Sequence, residues 1–185
     1  MDETAQPLDD PIEMSTAARR VGLSVAVAVI SVLVVAVDQA SKAWAVDRLT
    51  DRAPIEVLDG ILQLHLTRNA GAAFSLATGT TWLFTLVATA VSVVIVRTTR
   101  KLGSRWWALA LGLLLGGAVG NLLDRFFRAP GFARGHVVDF IEYLKFPFID
   151  FPIFNLADSC IVTAAFLIAG LGLRGVGLDG RRLDG

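Results

Sequence analysis

Long apolar runs and short alternating stretches follow one another along this chain. Four runs stand out, at 21–37, 76–96, 106–123 and 156–173. Each is close to the roughly 20 residues that carry a helix across a bilayer, once tilt and flanks are allowed for. The pattern predicts spans at about 21–43, 76–96, 106–126 and 155–173. Between the first two, Leu62, Leu64 and Leu66 alternate with Gln63, His65 and Thr67, a period of two that marks a half-buried strand. Asp59-Gly60 is a strong turn pair between 55–58 and 61–67, so a hairpin is expected there. The second inter-span stretch, 128–154, contains Pro130, Pro147 and Pro152, which break any long helix. With Phe146, Phe148, Phe151 and Phe154 it reads as an amphipathic surface loop at the membrane interface.

The predicted fold is therefore an all-α polytopic membrane protein: four transmembrane helices, a small extracytoplasmic β-hairpin and an amphipathic periplasmic-side loop. One domain, 21–175, is expected between two tails. Residues 1–20 are polar and acidic with Pro7 and Pro11, and read as a disordered cytoplasmic tail. Residues 176–185 read as a second cytoplasmic tail. Arg19-Arg20 before an apolar run, with Ala43-Trp44-Ala45 after it, also has the outline of a cleavable signal. The run exceeds the usual 7–15 residues of such a segment and three more spans follow, which favours a resident helix.

Charge sets the orientation. Even spans put both termini on one side, with nine basic residues there and eight on the other. The short stretch from Arg97 to Arg105 holds four basic residues and no acid, and short loops weigh most, so both termini are expected in the cytoplasm. Composition narrows the class. With 54% hydrophobic residues an ordinary soluble domain is excluded, and 17 basic against 17 acidic residues give no field for nucleic acid. A single cysteine, Cys160, allows no intrachain disulfide. His65 and His136 are the only histidines, and no metal-ligand spacing or nucleophile elbow appears, so neither metal nor cofactor is expected.

Polar residues cluster at the outer ends of the spans. Asp38 and Lys42 lie four apart at the end of the first, in the favoured order for a helical ion pair. Asn121, Asp124 and Arg125 lie three and four apart at the end of the third. Gly112, Gly116 and Gly120 recur every four residues before them, a ridge that lets another helix pack closely. Asp139 follows the third span, and Asn155 and Asp158 open the fourth. Ionisable groups beside a membrane span carry a desolvation cost and often have a function. Asp139 and Asp158 are separated by two prolines and cannot share a helix, but a chain reversal would bring them together. Two carboxylates in contact hold one proton between them, which suits one to activate water and the other to protonate a carbonyl. The residues by themselves leave three readings open: such a pair, a proton-coupled transporter, and a scaffold whose polar groups stabilise helix ends.

Five ordered stretches carry a resemblance. "DQASK" at 38–42, "NAGAAFS" at 69–75, "GNLLDR" at 120–125, "GHVVDF" at 135–140 and "FNLADS" at 154–159 together resemble the lipoprotein signal peptidases, or signal peptidase II, over about residues 20–173. The resemblance implies a bacterial intramembrane aspartic endopeptidase with Asp139 and Asp158 as the catalytic pair. It implies supporting or substrate-binding roles for Asn69, Gly71, Asn121, Arg125 and Asn155, and structural roles for Asp38, Lys42 and Asp124. The implied substrate is a diacylglyceryl-modified prolipoprotein, met by a monomer among the lipids of the cytoplasmic membrane. The hairpin and the 128–154 loop are then expected to clamp it.

Overall fold

The computed structural model describes residues 11–71, 81–144 and 151–182. Helix α1 (Pro11–Leu49) is followed by strands β1 (Ile55–Val57) and β2 (Leu62–Asn69), then α2 (Thr81–Thr98) and a 3-10 turn at Thr99–Lys101. Helix α3 (Arg105–Phe127), strand β3 (Val137–Tyr143) and α4 (Leu156–Leu173) complete the chain. Four helices are long and apolar enough to cross a membrane.

α3 is the central helix. Half of its apolar window is buried, against 22%, 11% and 17% for α1, α2 and α4. The others turn valines, leucines and Phe166 outward, as helices facing lipid do. The glycine ridge works as its spacing predicts. A Cβ on Gly112 would meet Ile30 at 2.8 Å, one on Gly116 would meet Val34 at 2.6 Å, and one on Gly120 would meet Asp38 Oδ2 at 2.6 Å. The ridge therefore seats α1 directly on α3, and its last step leaves room for a carboxylate.

α1 departs from its predicted bounds of 21–43 at both ends. Helical structure begins at Pro11, so residues 11–20 are not the disordered segment expected there; residues 1–10 lie outside the described residues. At the other end α1 continues to Leu49, because its last two turns have a core of their own. Ala45 and Leu49 pack with Val138 and Phe140 of β3, backed by Leu64 and Leu66 of β2. The period-two leucines thus meet the projecting end of α1.

The hairpin forms, with a wider turn than the Asp59-Gly60 pair alone would make. Val57 pairs with Leu62, and Leu58, Asp59 and Gly60 all have positive φ between them. The 128–154 stretch holds more order than an amphipathic loop. It contributes β3, which pairs antiparallel with β2 and gives a three-stranded sheet in the order β1-β2-β3. The two outer segments are one platform, and not two separate jaws. Alternation alone hid this strand, because "VVDF" is buried on both faces: Val137, Val138, Asp139 and Phe140 are all buried. Phe146 and Phe148 lie outside the described residues.

The expected C-terminal tail also has structure. Val176 bridges to Arg182, the Gly103 N–H donates to Leu178 O, and Trp107 Nε1 donates to Val176 O at 2.9 Å. Residues 176–182 therefore fold against the α2–α3 connection.

Candidate active site

Three local devices bring the polar residues together. The first is a bulge: Leu64 faces Ile141 and Thr67 faces Asp139, so β2 has one residue more than β3 between those pairs. Beyond it Thr67–Asp139 and Asn69–Val137 are pairs two positions apart, which puts Asn69 diagonal to Asp139 on one face. Asn69 Nδ2 donates to Asp139 Oδ2 at 2.9 Å. Its own Oδ1 accepts from the Gly71 N–H at 2.7 Å, which fixes the amide with its NH2 toward the carboxylate. Gly71 has φ +107°, and a Cβ there would strike the Phe84 ring at 2.8 Å, so glycine is required. Ala72, Ala73, Phe74 and Ser75 of the same stretch lie outside the described residues.

The second device returns the chain. After β3, Phe154 pairs with Ile141, its N–H donating to Ile141 O and its carbonyl accepting from Ile141 N. That reversal delivers Asn155 beside Asp139. The third is the cap of α4. Asn155 Oδ1 accepts from the Asp158 N–H at 2.9 Å, and Asp158 Oδ2 accepts from the Asn155 N–H at 3.2 Å, a reciprocal box. Asn155 Nδ2 donates to Asp139 Oδ1 at 2.6 Å. One fully buried asparagine thus bridges both aspartates. Asn121 Nδ2 donates to the remaining oxygen of Asp158, Oδ1, at 2.8 Å.

Beneath this pair lies a buried ionic cluster. Lys42 Nζ sits 2.9 Å from Asp38 Oδ2 and 2.9 Å from Asp124 Oδ2, and all three side chains are 0% exposed. Lys42 also donates to Asn121 Oδ1 at 2.8 Å, which turns the Asn121 NH2 toward Asp158. Asp124 further accepts from Arg128 Nε and from the Val138 N–H, so two acids meet two bases. Asp38 Oδ1 accepts from the Ala157 N–H at 3.0 Å and anchors the first turn of α4 to α1. Asp38, Lys42 and Asp124, to which the resemblance gives structural roles, thus form one buried cluster. Lys42 additionally reaches the pair through Asn121.

Arg125 diverges from its expected companions. Asn121 and Asp124 face Lys42, whereas the Arg125 guanidinium lies over the Phe84 ring of α2, 5.6 Å from its centre. It stands in the field of Asp139, Asp124 and Asp158. Among the described residues its Nη1 is buried without a hydrogen-bond partner, a costly state unless something else supplies an acceptor.

Asp139 is 1% exposed. Burial raises its pKa from 3.8 to about 6, helped by the charge of Asp158 and opposed by the bonds from Asn69 and Asn155. Asp158 is only partly buried as a residue, whereas Asp139 is enclosed. Sequence reasoning missed Gln39, whose Nε2 donates to Asp38, Asp124 and Gly120 O, and Arg128. Gln39 carried no signal beyond its place next to Asp38. The cap of α4 was missed too, although the N-x-x-D spacing of Asn155 and Asp158 before an apolar run is a signal for it. Among the described residues no cluster of ligands could hold a metal.

The family model of signal peptidase (SPase) II matches residues 30–173. The chain belongs to the signal peptidase II family. The "Lipoprotein signal peptidase" of Rhodococcus jostii is 52% identical over 143 residues, 77% of this chain and 70% of that one. That of Mycolicibacterium smegmatis is 46% identical over 177 residues, 92% and 72% of the two chains. A solved structure described as a bacterial membrane enzyme superposes with TM-score 0.70 at 31% identity, over 80% of this chain and 92% of that one. Membership makes this a bacterial membrane protease, and the resemblance seen in the five motifs holds.

Proposed function

We propose that this chain is an aspartic endopeptidase that removes the signal peptide from diacylglyceryl-modified prolipoproteins, cutting just before the lipidated cysteine. Asp139 and Asp158 are its catalytic pair. The observation that carries this reading is the Asn155 bridge: one buried residue contacts both carboxylates at the edge of the membrane spans, its side-chain NH2 donating to Asp139 and its backbone N–H to Asp158. The cytoplasmic membrane, with both termini inside and the pair near the outer face, is the proposed setting.

The pair holds one proton between its members at working pH, and its pKa values belong to both together. The ionised aspartate removes a proton from water, which attacks the scissile carbonyl. The protonated partner gives its proton to the carbonyl oxygen; the tetrahedral intermediate then collapses as the aspartate that took the water proton gives it to the leaving amine of the lipidated cysteine, the C–N bond breaks and the carbonyl-oxygen proton returns to its partner, freeing the signal peptide as a carboxylic acid. Asn69, Asn121 and Asn155 hold the carboxylates in register before substrate arrives, so little reorganisation accompanies reaction. Arg125 Nη1 finds no acceptor among the described residues, and a substrate backbone carbonyl would complete it. The partial exposure of Asp158 gives water and peptide an approach. The apolar helix faces accept the signal peptide and acyl chains.

The test is cleavage of a diacylglyceryl-modified prolipoprotein by purified protein in detergent. Asp139→Asn and Asp158→Asn should each lose activity while keeping a cooperative thermal transition. Near-wild-type cleavage by either folded variant rules out the aspartic mechanism. An inactive wild type would remove the substrate assignment.

A further inference from the structure

The end of the molecule far from the carboxylates carries a second feature. α1 and α2 each pack on α3, and they are tied to each other chiefly at the 3-10 turn, where Ser24 Oγ donates to Thr99 O at 3.2 Å. Above that tie they leave a groove of about 860 Å³ floored by Leu115 and Val119 of α3. Its walls are apolar, with Ala28, Val32 and Val35 on one side and Val93 and Val96 on the other. Arg97 and Arg100 stand at its mouth. A second cavity shares Ala28 and Arg100 with the first, and a third shares Arg20 with the second. The three form one path from an apolar slot to a rim of Arg19, Arg20, Arg97, Arg100, Lys101 and Arg181, all exposed. Asp179 is the one acid lining it, and among the described residues only Arg181 pairs with an acid there, loosely at 3.8 Å.

An apolar slot under a rim where, among the described residues, six cations meet one acid fits one kind of occupant: an anion with long hydrocarbon chains. We propose that this groove binds an anionic phospholipid such as phosphatidylglycerol, with an acyl chain between α1 and α2 and its phosphate among Arg20, Arg97 and Arg100. Basic residues at a membrane surface attract such headgroups, and arginine meets phosphate with paired N–H donors. A signal peptide is disfavoured here, because its leading segment is itself positively charged and would face five or six cations. The acidic residues Asp2, Glu3, Asp9 and Asp10 could match the rim in charge, but they come with no apolar run to fill the slot. The proposal does not depend on the catalytic assignment, since its readout is lipid retention.

The experiment is native mass spectrometry of the full-length protein released from detergent with phosphatidylglycerol or phosphatidylcholine. Wild type should retain phosphatidylglycerol at least about tenfold better, given three arginines at the phosphate. The double variant Arg97→Gln, Arg100→Gln should lose that preference. Ala28→Trp, which fills the slot and leaves the rim charged, should weaken both lipids. Thermal unfolding confirms that both variants are folded. Equal retention of the two lipids by wild type overturns the proposal, as does a preference that survives the double variant. Displacement by a basic, apolar signal-like peptide would give the groove to the peptide instead. Binding that appears only when residues 1–10 are removed would give the rim to that acidic segment.

Discussion

Replacing Asp139 by asparagine should abolish cleavage and at the same time stabilise the protein, by an amount that grows as pH rises and is full above about pH 6. Asp139 is buried, and its pKa stands at about 6 instead of 3.8. Between those values the folded chain keeps a proton that the unfolded chain has released. Stability therefore falls as pH rises through this window, and above it the full penalty is present. A gap of this size corresponds to about 3 kcal/mol. Asparagine keeps the shape and removes the charge. It also has one oxygen where the carboxylate has two, so either the Asn69 or the Asn155 donor loses its acceptor, at about 1 kcal/mol. The net gain at pH 8 is about 2 kcal/mol, which in a chain of this size raises Tm by roughly 4–8 °C. At pH 4 the wild-type carboxyl is already neutral, so the gain disappears and the variant should melt at or slightly below wild type. Intrinsic tryptophan fluorescence during heating in detergent, at pH 4 and pH 8, measures this. A variant that melts below wild type at pH 8, or a Tm difference that is the same at both pH values, refutes the reasoning.

Lys42→Met leaves Asp38 and Asp124 buried with their central cation gone, and should lower stability by about 3–5 kcal/mol, read as a fall in Tm. Gly120→Ala places a Cβ 2.6 Å from Asp38 Oδ2 and should displace the carboxylate from Ala157, lowering Tm by an amount equivalent to about 1–3 kcal/mol. Asn69→Ala removes a donor that favours the ionised form of Asp139, so the acid limb of the kcat/KM profile should move up by roughly one pH unit; a limb that stays put detaches Asn69 from the pair. Arg125→Lys keeps the charge but loses the planar N–H array, and should raise KM more than it lowers kcat if Arg125 takes a substrate carbonyl.

The four spans, the glycine ridge and the hairpin were legible because each is a local pattern. Bilayer thickness sets the length of an apolar run, helical pitch sets the four-residue spacing of Gly112, Gly116 and Gly120, and pleating sets the alternation of Leu62, Leu64 and Leu66. The Asp38–Lys42 pair was local too, four residues apart on one helix. Spacing could not choose a partner for Asp158, since Asp124 and Asp139 both lie near the outer ends of the spans. That choice rests on contacts distant in sequence. Asp124 turns inward to Lys42, 82 positions earlier, while the β2 bulge and the Ile141–Phe154 bridge carry Asp139 to Asn155. β3 itself was invisible as a strand, because a segment buried on both faces shows no alternation, and its partner β2 lies some 70 residues away. Local chemistry thus determined which elements form and which residues are costly to bury. Only the tertiary structure decided which carboxylate is neutralised by Lys42 and which is left facing another acid, because that depends on where a neighbouring charge ends up in space.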